Sequence, residues 1–207
     1  MAKKAICGIY AITPQGLPWP EVLARAKEAM AAGVRLWQFR DKGADREEKA
    51  TRAWALRDLC RRFGAVFMIN DDPFLAQVLQ ADGVHLGRDD PGISEARSLL
   101  GEKAIIGASC HGDLGLAEKA LNAGADYAAF GSFYPSPTKP GAARAPTAIL
   151  SKAKKNLPLP IVAIGGITLE NAPELIAQGA DALAVSSSLF QAPSTAQAAR
   201  NLVRLFS

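Results

Sequence analysis

From end to end the chain alternates short strand-like stretches with longer segments of helical period, and it does so eight times. The strand-like runs lie at 6–13, 34–40, 65–70, 83–86, 104–109, 127–132, 161–166 and 182–187. Each is followed by an amphipathic segment such as WPEVLARAKEAMAA or LGLAEKALNA, in which apolar residues recur at i, i+3 and i+4. Runs of Val, Ile and Ala that are apolar throughout belong in a parallel sheet covered by helices, because a parallel connection needs a crossover. Four segments, AAGVRLWQF, QADGVHLG, NAGADYAAFG and AQGADALAVS, set a glycine at a helix exit just before a strand, where a left-handed residue ends the helix. About 25 residues per strand and helix, taken eight times, use up the chain. An α/β fold follows, a single-domain (β/α)8 TIM barrel over 1–207, in preference to a flavodoxin-like sheet, which normally has about five strands.

The 207 residues, 49% hydrophobic and 21% charged, suit one sizeable core. A formal charge of +4 is scattered without any block of like charges, which favours small anionic ligands over nucleic acid. The longest apolar stretches are too short and too rich in Pro and Gly to cross a bilayer as a helix of roughly 20 residues. The start, MAKKAICGIYAIT, lacks a small-residue exit and holds a strand pattern, so it reads as mature protein. Cys7, Cys60 and Cys110 have neither an even count nor a C-x-x-C spacing, which argues against a disulfide framework and a zinc site and fits a reducing cytoplasm.

In such a barrel the chemistry collects where the strands end. After the second run come Gln38, Arg40 and Lys42, sent to one face by alternation, where a guanidinium and an ammonium can hold phosphate oxygens; a surface salt-bridge cluster with Asp41 is the structural alternative. Asn70, Asp71 and Asp72 follow the third run and Arg88, Asp89 and Asp90 the fourth. Asp71 and Asp90, 19 residues apart in number, should meet at the mouth and suit Mg²⁺, which takes one or two carboxylates with phosphates and water. Asp72 before Pro73 reads as a helix cap. Ser109 and His111 follow the fifth run; a lone histidine there is more often structural, and His85 should point into the barrel. Cys110 has no evident activating base other than His111 and no ordered third partner, which argues against a cysteine nucleophile. After the sixth run Pro135, Pro137 and Pro140 stiffen a loop holding Ser136, Thr138 and Lys139. Glycines in GGIT and serines in VSSS, Gly166, Ser186 and Ser187 among them, close runs seven and eight, a frequent phosphate site, although GG after a strand also serves as a plain tight turn.

Together GIYAIT, QFRDK, INDD, ADGVHLG, IGASCH, GADYAAFGSFYPSPTKP, VAIGGIT and GADALAVSSSLF resemble, in order and spacing, the thiamine phosphate synthase family over nearly the whole chain. The resemblance implies a barrel-fold transferase of thiamine biosynthesis. It would join the hydroxymethylpyrimidine of a diphosphate ester to a thiazole phosphate, plain or carboxylated, and release pyrophosphate. It assigns the pyrimidine diphosphate to Gln38, Arg40, Asp41, Lys42, Asn70, Ser109 and Lys139, with Lys139, Arg40, Lys42 and Ser109 bearing on catalysis. The thiazole phosphate falls to Ser136, Thr138, Gly166, Ser186 and Ser187, and Mg²⁺ to Asp71 and Asp90. Expected partners are these small molecules and at most further copies of the chain, with no nucleic acid and no membrane. Arg88-Asp89-Asp90 departs from a common Gln-Glu-Asp, and Ser186 replaces a common Ile or Val. The nearest rival is a thiazole tautomerase, which has no evident need for the diphosphate and metal set; a sugar phosphate epimerase and a thiamine-precursor binding protein are more distant.

Overall fold

The computed structural model describes residues 6–88, 90, 92–136 and 143–206. Its eight parallel strands are β1 (Gly8–Ile12), β2 (Leu36–Phe39), β3 (Val66–Asn70), β4 (Gly83–Leu86), β5 (Ile105–His111), β6 (Tyr127–Phe130), β7 (Ile161–Ile164) and β8 (Ala182–Val185), and they close in sequence order into a barrel. Pairing of β1 with β8, Gly8 opposite Ala182, completes the ring. The (β/α)8 architecture is as expected, and each strand falls within or overlaps its apolar run. The fifth extends to His111, two residues past its run.

Among the described residues eight helices cover the barrel: α1 (Trp19–Ala31), α2 (Arg46–Arg62), α3 (Pro73–Val78), α4 (Ile93–Leu100), α5 (Leu114–Asn122), α6 (Ala148–Asn156), α7 (Ala172–Ala177) and α9 (Thr195–Val203). A short α8 (Ser187–Phe190) is inserted after β8. Alternation along the strands divides the apolar residues into two cores. Outward residues such as Trp37, Phe39, Phe67 and Leu183 pack against the helices, while Tyr10, Leu36, Met68, Tyr127 and Val162 fill the barrel interior. Gly107 makes that filling fit: a Cβ there would stand 1.9 Å from the Tyr127 ring.

The recurrent helix exits work as read in three of four cases. Gly33, Gly124 and Gly179 have φ of 109°, 94° and 105°. In QADGVHLG the left-handed residue is instead Gln80, at φ 49°, while Gly83 already belongs to β4. Gly83 is small for a different reason, since a Cβ would collide with the carbonyl oxygen of Ile105 on β5 at 1.9 Å.

Two residues beyond three of these exits stands an aspartate. The carboxylates of Asp82, Asp126 and Asp181 accept the backbone N–H of Phe67, Ile106 and Ile161 at 2.7, 2.9 and 2.8 Å, each on the preceding strand. Their own N–H groups donate to the carbonyls of those same residues at 2.9, 2.7 and 2.8 Å. Each aspartate thus closes a two-bond joint at the base of a strand pair and satisfies a donor that the ladder leaves open. Asp126 is further paired with Arg97 at 2.6 Å.

Removing the acceptor exposes the joint's worth. Asp126→Ala is expected to lower unfolding stability by about 2–3 kcal/mol, the cost of orphaning a buried N–H and of taking from Arg97 its one carboxylate partner among the described residues, and Asp126→Asn by less, because the amide oxygen still accepts from Ile106. Urea denaturation measures both; equal losses would mean that charge, rather than the acceptor, holds the joint.

Candidate active site at the strand C-termini

Those of the sequence-predicted residues that the structure describes lie near the rim where the strands end. Gln38, at the end of β2, is 2% exposed and turns into the barrel, where its Nε2 donates to Tyr10 Oη at 2.8 Å. Arg40 is held by its backbone: its N–H donates to Thr13 Oγ1 at 2.7 Å, and Thr13 Oγ1 donates to the Arg40 carbonyl at 2.9 Å. Thr13, buried just past β1, therefore fixes where the Arg40 side chain starts. Sequence reasoning quoted GIYAIT but gave this threonine no part; a buried hydroxyl at a strand end was the available signal.

Asp41 does not form a cluster with its neighbours Arg40 and Lys42. Its carboxylate accepts from the N–H groups of Gly43 and Ala44 at 3.0 and 3.1 Å and pairs with Arg52 of α2 at 2.8 Å. Burial raises its pKa, but Arg52 and the two N–H groups outweigh that and keep it below the usual carboxylate range. It pins the turn that carries Lys42.

Lys42 Nζ reaches Asp71 Oδ2 at 3.2 Å, and Asp71 is hydrogen-bonded to Asp90. Asp71 sits in the left-handed region at φ 67°, an uncommon setting for a residue other than glycine that turns its carboxylate toward the mouth as the chain leaves β3. Its N–H donates to the His85 carbonyl at 2.8 Å, which ties the turn to β4. Asp90 accepts from Gly87 N–H at 2.6 Å. Burial lifts the Asp71 carboxyl, yet Asp90 and the Lys42 ammonium together hold it below its ordinary value. Asp90 is pushed upward by burial and by Asp71 beside it. Two carboxylates brought together in this way form a hard-oxygen donor pair. Among the described residues no cluster of three or more His, Cys, Asp or Glu side chains is placed to hold a metal, so such an ion would draw its remaining ligands from phosphate and water. Asp72 caps α3, accepting from Leu75 N–H at 2.8 Å, as its place before Pro73 implied. A cleft of about 480 Å³ opens beside the pair, lined in part by Lys42, Lys49, Asn70, Asp71 and Glu95.

Ser109 faces His85 Nε2 at 2.9 Å, and His85, as expected, points inward. His111 ends β5 exposed, at φ 51°. Cys110 is buried; desolvation pushes its thiol up to about 12, which keeps it protonated and unreactive.

Beyond β6 the chain is stitched to β7. Phe133 and Tyr134 donate to the carbonyls of Ile164 and Gly165 at 3.2 and 3.0 Å, and Ala145 N–H returns to the Ser132 carbonyl at 2.9 Å. Ser136 stands at the end of that stitched stem. Thr138 and Lys139, like Asp89, lie outside the described residues. Gly166, at φ 62°, packs so closely that a Cβ would meet the Pro135 carbonyl at 2.3 Å. Ser186 precedes α8 and Ser187 opens it. The glycine turn after β7 and the short extra helix after β8 stand at the position where barrels often bind phosphate.

The thiamine monophosphate synthase family profile matches residues 9–189. Thiamine-phosphate synthase of Thiobacillus denitrificans is 53% identical over 199 residues, covering 96% of this chain and 94% of the relative. That of Thioalkalivibrio sulfidiphilus is 49% identical over 201 residues, at 96% and 95% coverage. The solved thiamine phosphate pyrophosphorylase of Pyrococcus furiosus superposes with a TM-score of 0.87 at 33% identity, over 99% of this chain and 96% of that one.

The carboxylate pair has a measurable cost. An acid whose pKa is raised on folding lowers stability once pH exceeds its unfolded value, so a neutral Asn in its place removes a penalty at pH 7. Asp90→Asn should raise the melting temperature by about 2 °C, read by scanning calorimetry; an unchanged or lower value would mean that the pair carries no such penalty.

Proposed function

Since the chain belongs to the thiamine monophosphate synthase family, and joins a hydroxymethylpyrimidine diphosphate to a thiazole phosphate with release of pyrophosphate, we propose how its own residues divide that work. The observation that carries the proposal is the array Lys42–Asp71–Asp90 on the rim beside the inward pair Gln38 and Ser109. Gln38, Asn70 and Ser109 hold the pyrimidine. Arg40 and Lys42, with Lys139 from the loop after β6, take the diphosphate; Asp41 acts through the turn it pins. Asp71 and Asp90 hold Mg²⁺, and their paired hard oxygens fit that ion. When bound there, a divalent cation would help neutralise the diphosphate. Ser136, Thr138, Gly166, Ser186 and Ser187 hold the thiazole phosphate, plain or carboxylated.

The chemistry asks little proton transfer of the protein. The bond from the pyrimidine methylene to the diphosphate oxygen breaks with both electrons leaving on oxygen, and the electron-rich aminopyrimidine stabilises the cation left behind. The thiazole nitrogen then donates its lone pair to that carbon. Arg40, Lys42 and Lys139 offset the charge that develops on the leaving group, and the two half-sites hold the reacting atoms in line. No general base is required, which suits a site whose rim histidine, His111, is exposed. Among the described residues no helix is long and apolar enough to cross a membrane, and we place the enzyme in the cytoplasm with its small substrates.

The direct test is to mix the protein, Mg²⁺ and both substrates and follow thiamine phosphate and pyrophosphate together. Lys139→Ala is expected to slow coupling by more than about tenfold, roughly 1.4 kcal/mol in barrier. An unchanged rate for that variant would refute the role given to Lys139.

A further inference from the structure

Three buried side chains have no part in the assignment above, yet they join two residues that do. Gln38 Nε2 donates to Tyr10 Oη at 2.8 Å, Tyr10 Oη lies 3.0 Å from Tyr127 Oη, Tyr127 Oη lies 2.9 Å from His85 Nδ1, and His85 Nε2 lies 2.9 Å from Ser109 Oγ. The five residues stand on β2, β1, β6, β4 and β5, so the chain of bonds crosses the barrel interior. Tyr10 is 1% exposed, Tyr127 0% and His85 8%, so water does not substitute for these partners. The His85 and Tyr127 rings are stacked 5.6 Å apart, and Gly107 leaves the space that the Tyr127 ring fills.

Counting protons gives this chain a direction. A phenol has one proton to give, and a buried one must be given to something. Burial keeps both tyrosines protonated, Tyr10 pushed up to about 12 and Tyr127 raised well above the usual phenol range. Tyr10 accepts from Gln38, and among the described residues Tyr127 Oη is the one acceptor within reach of its own proton. Tyr127 must then donate to His85 Nδ1. The neutral imidazole consequently carries its proton on Nε2 and donates to Ser109 Oγ. Ser109 keeps its own proton for a group outside the chain, and Gln38 keeps Oε1 as an outward acceptor. Reversing one link requires reversing all of them, together with rotating an amide that is 2% exposed.

We propose that Tyr10, Tyr127 and His85 are positioning residues that set the hydrogen-bonding polarity of the pyrimidine pocket, fixing Gln38 as acceptor and Ser109 as donor, and so select a 4-aminopyrimidine over a 4-oxopyrimidine. The inference rests on the reading that Gln38 and Ser109 hold the pyrimidine. An exocyclic amine donates to Gln38 Oε1 and an unprotonated ring nitrogen accepts from Ser109. A 4-oxo group would set its own acceptor against Gln38 Oε1, and the pocket could answer only by turning the whole chain round. Sites built around one hydrogen-bond pattern reject a mismatched ligand because buried polar groups are left unpaired.

The test compares dissociation constants of the 4-amino and 4-oxo pyrimidine diphosphates, measured by calorimetry with Mg²⁺ and without the thiazole phosphate. It uses the parent, Tyr10→Phe and Tyr127→Phe, each first shown to melt cooperatively. The parent should prefer the amine by about 100-fold or more. Tyr10→Phe frees the amide, and Tyr127→Phe takes away the acceptor that fixes the Tyr10 proton, so each should cut the preference by at least about tenfold, in part through tighter binding of the oxo compound. A purely structural role would weaken both ligands alike and leave the ratio unmoved. A ratio within about twofold of the parent in both tyrosine variants overturns the proposal. Gln38→Ala and Ser109→Ala serve as the control for the underlying reading. If neither changes affinity for either diphosphate, the pyrimidine does not bind between them and the assignment falls with the inference. If both weaken binding while the tyrosine variants keep the parent ratio, only the inference falls.

Discussion

Register is the constraint on which the rest of this molecule depends. A slip of one residue between two strands would turn every inward side chain outward and empty the mouth of its polar groups. Three aspartates, each just before an even-numbered strand, guard against that slip by bonding both ways to one residue of the strand before. The joints lie at the base of the barrel and the chemistry at its top. What they secure is that Gln38, His85, Ser109, Tyr10 and Tyr127 all face one interior. The fourth member of the series has Arg35 where the others have aspartate, so no carboxylate closes the joint there; the Arg35 carbonyl accepts instead from Val66 N–H, on the strand that follows β2, at 2.8 Å.

Elements governed by local pattern were legible in the sequence. Apolar runs marked the strands, Asp72 before Pro73 marked a cap, and the spacing of Asp71 and Asp90 implied that they would meet, since each follows a neighbouring strand. Contacts between residues far apart in the chain were not legible. Nothing near Tyr10 signals that its partners are Gln38 and Tyr127, because the first lies on the neighbouring strand and the second faces it only once the barrel has closed. Gly83 was misread for a related reason: the demand for a small residue comes from Ile105 across the sheet, whereas the helix exit itself is met by Gln80. Asp41 looked like a companion of Arg40 and Lys42, but its partner, Arg52, projects from the following helix.

The interior changes character from base to mouth. Below, Ile6, Leu36, Ile105 and Val162 fill it as ordinary core. Above, phenols, an imidazole and an amide replace aliphatic packing, and beyond them stand two carboxylates that repel one another. Stability thus declines toward the end where ligand binds, as expected when binding supplies the missing compensation. Burial that keeps the phenols protonated also removes competing nucleophiles from the cavity in which we propose that a reactive cation is captured by one chosen nitrogen.

The stitching of the stem after β6 to the turn after β7 has a bearing on how such an enzyme can diverge. Gly131, Gly165 and Gly166 leave no room for side chains between the two backbones, so neither segment can shift by even a methyl group without pushing the other. One of these segments leads to Lys139 and the other carries the turn to which we assign the thiazole phosphate. The two proposed ligand pockets are therefore not separable modules. A lineage, or a designer, seeking a bulkier acceptor would have to remodel both loops in a single step, and exchange of one loop between relatives should succeed only when its neighbour travels with it.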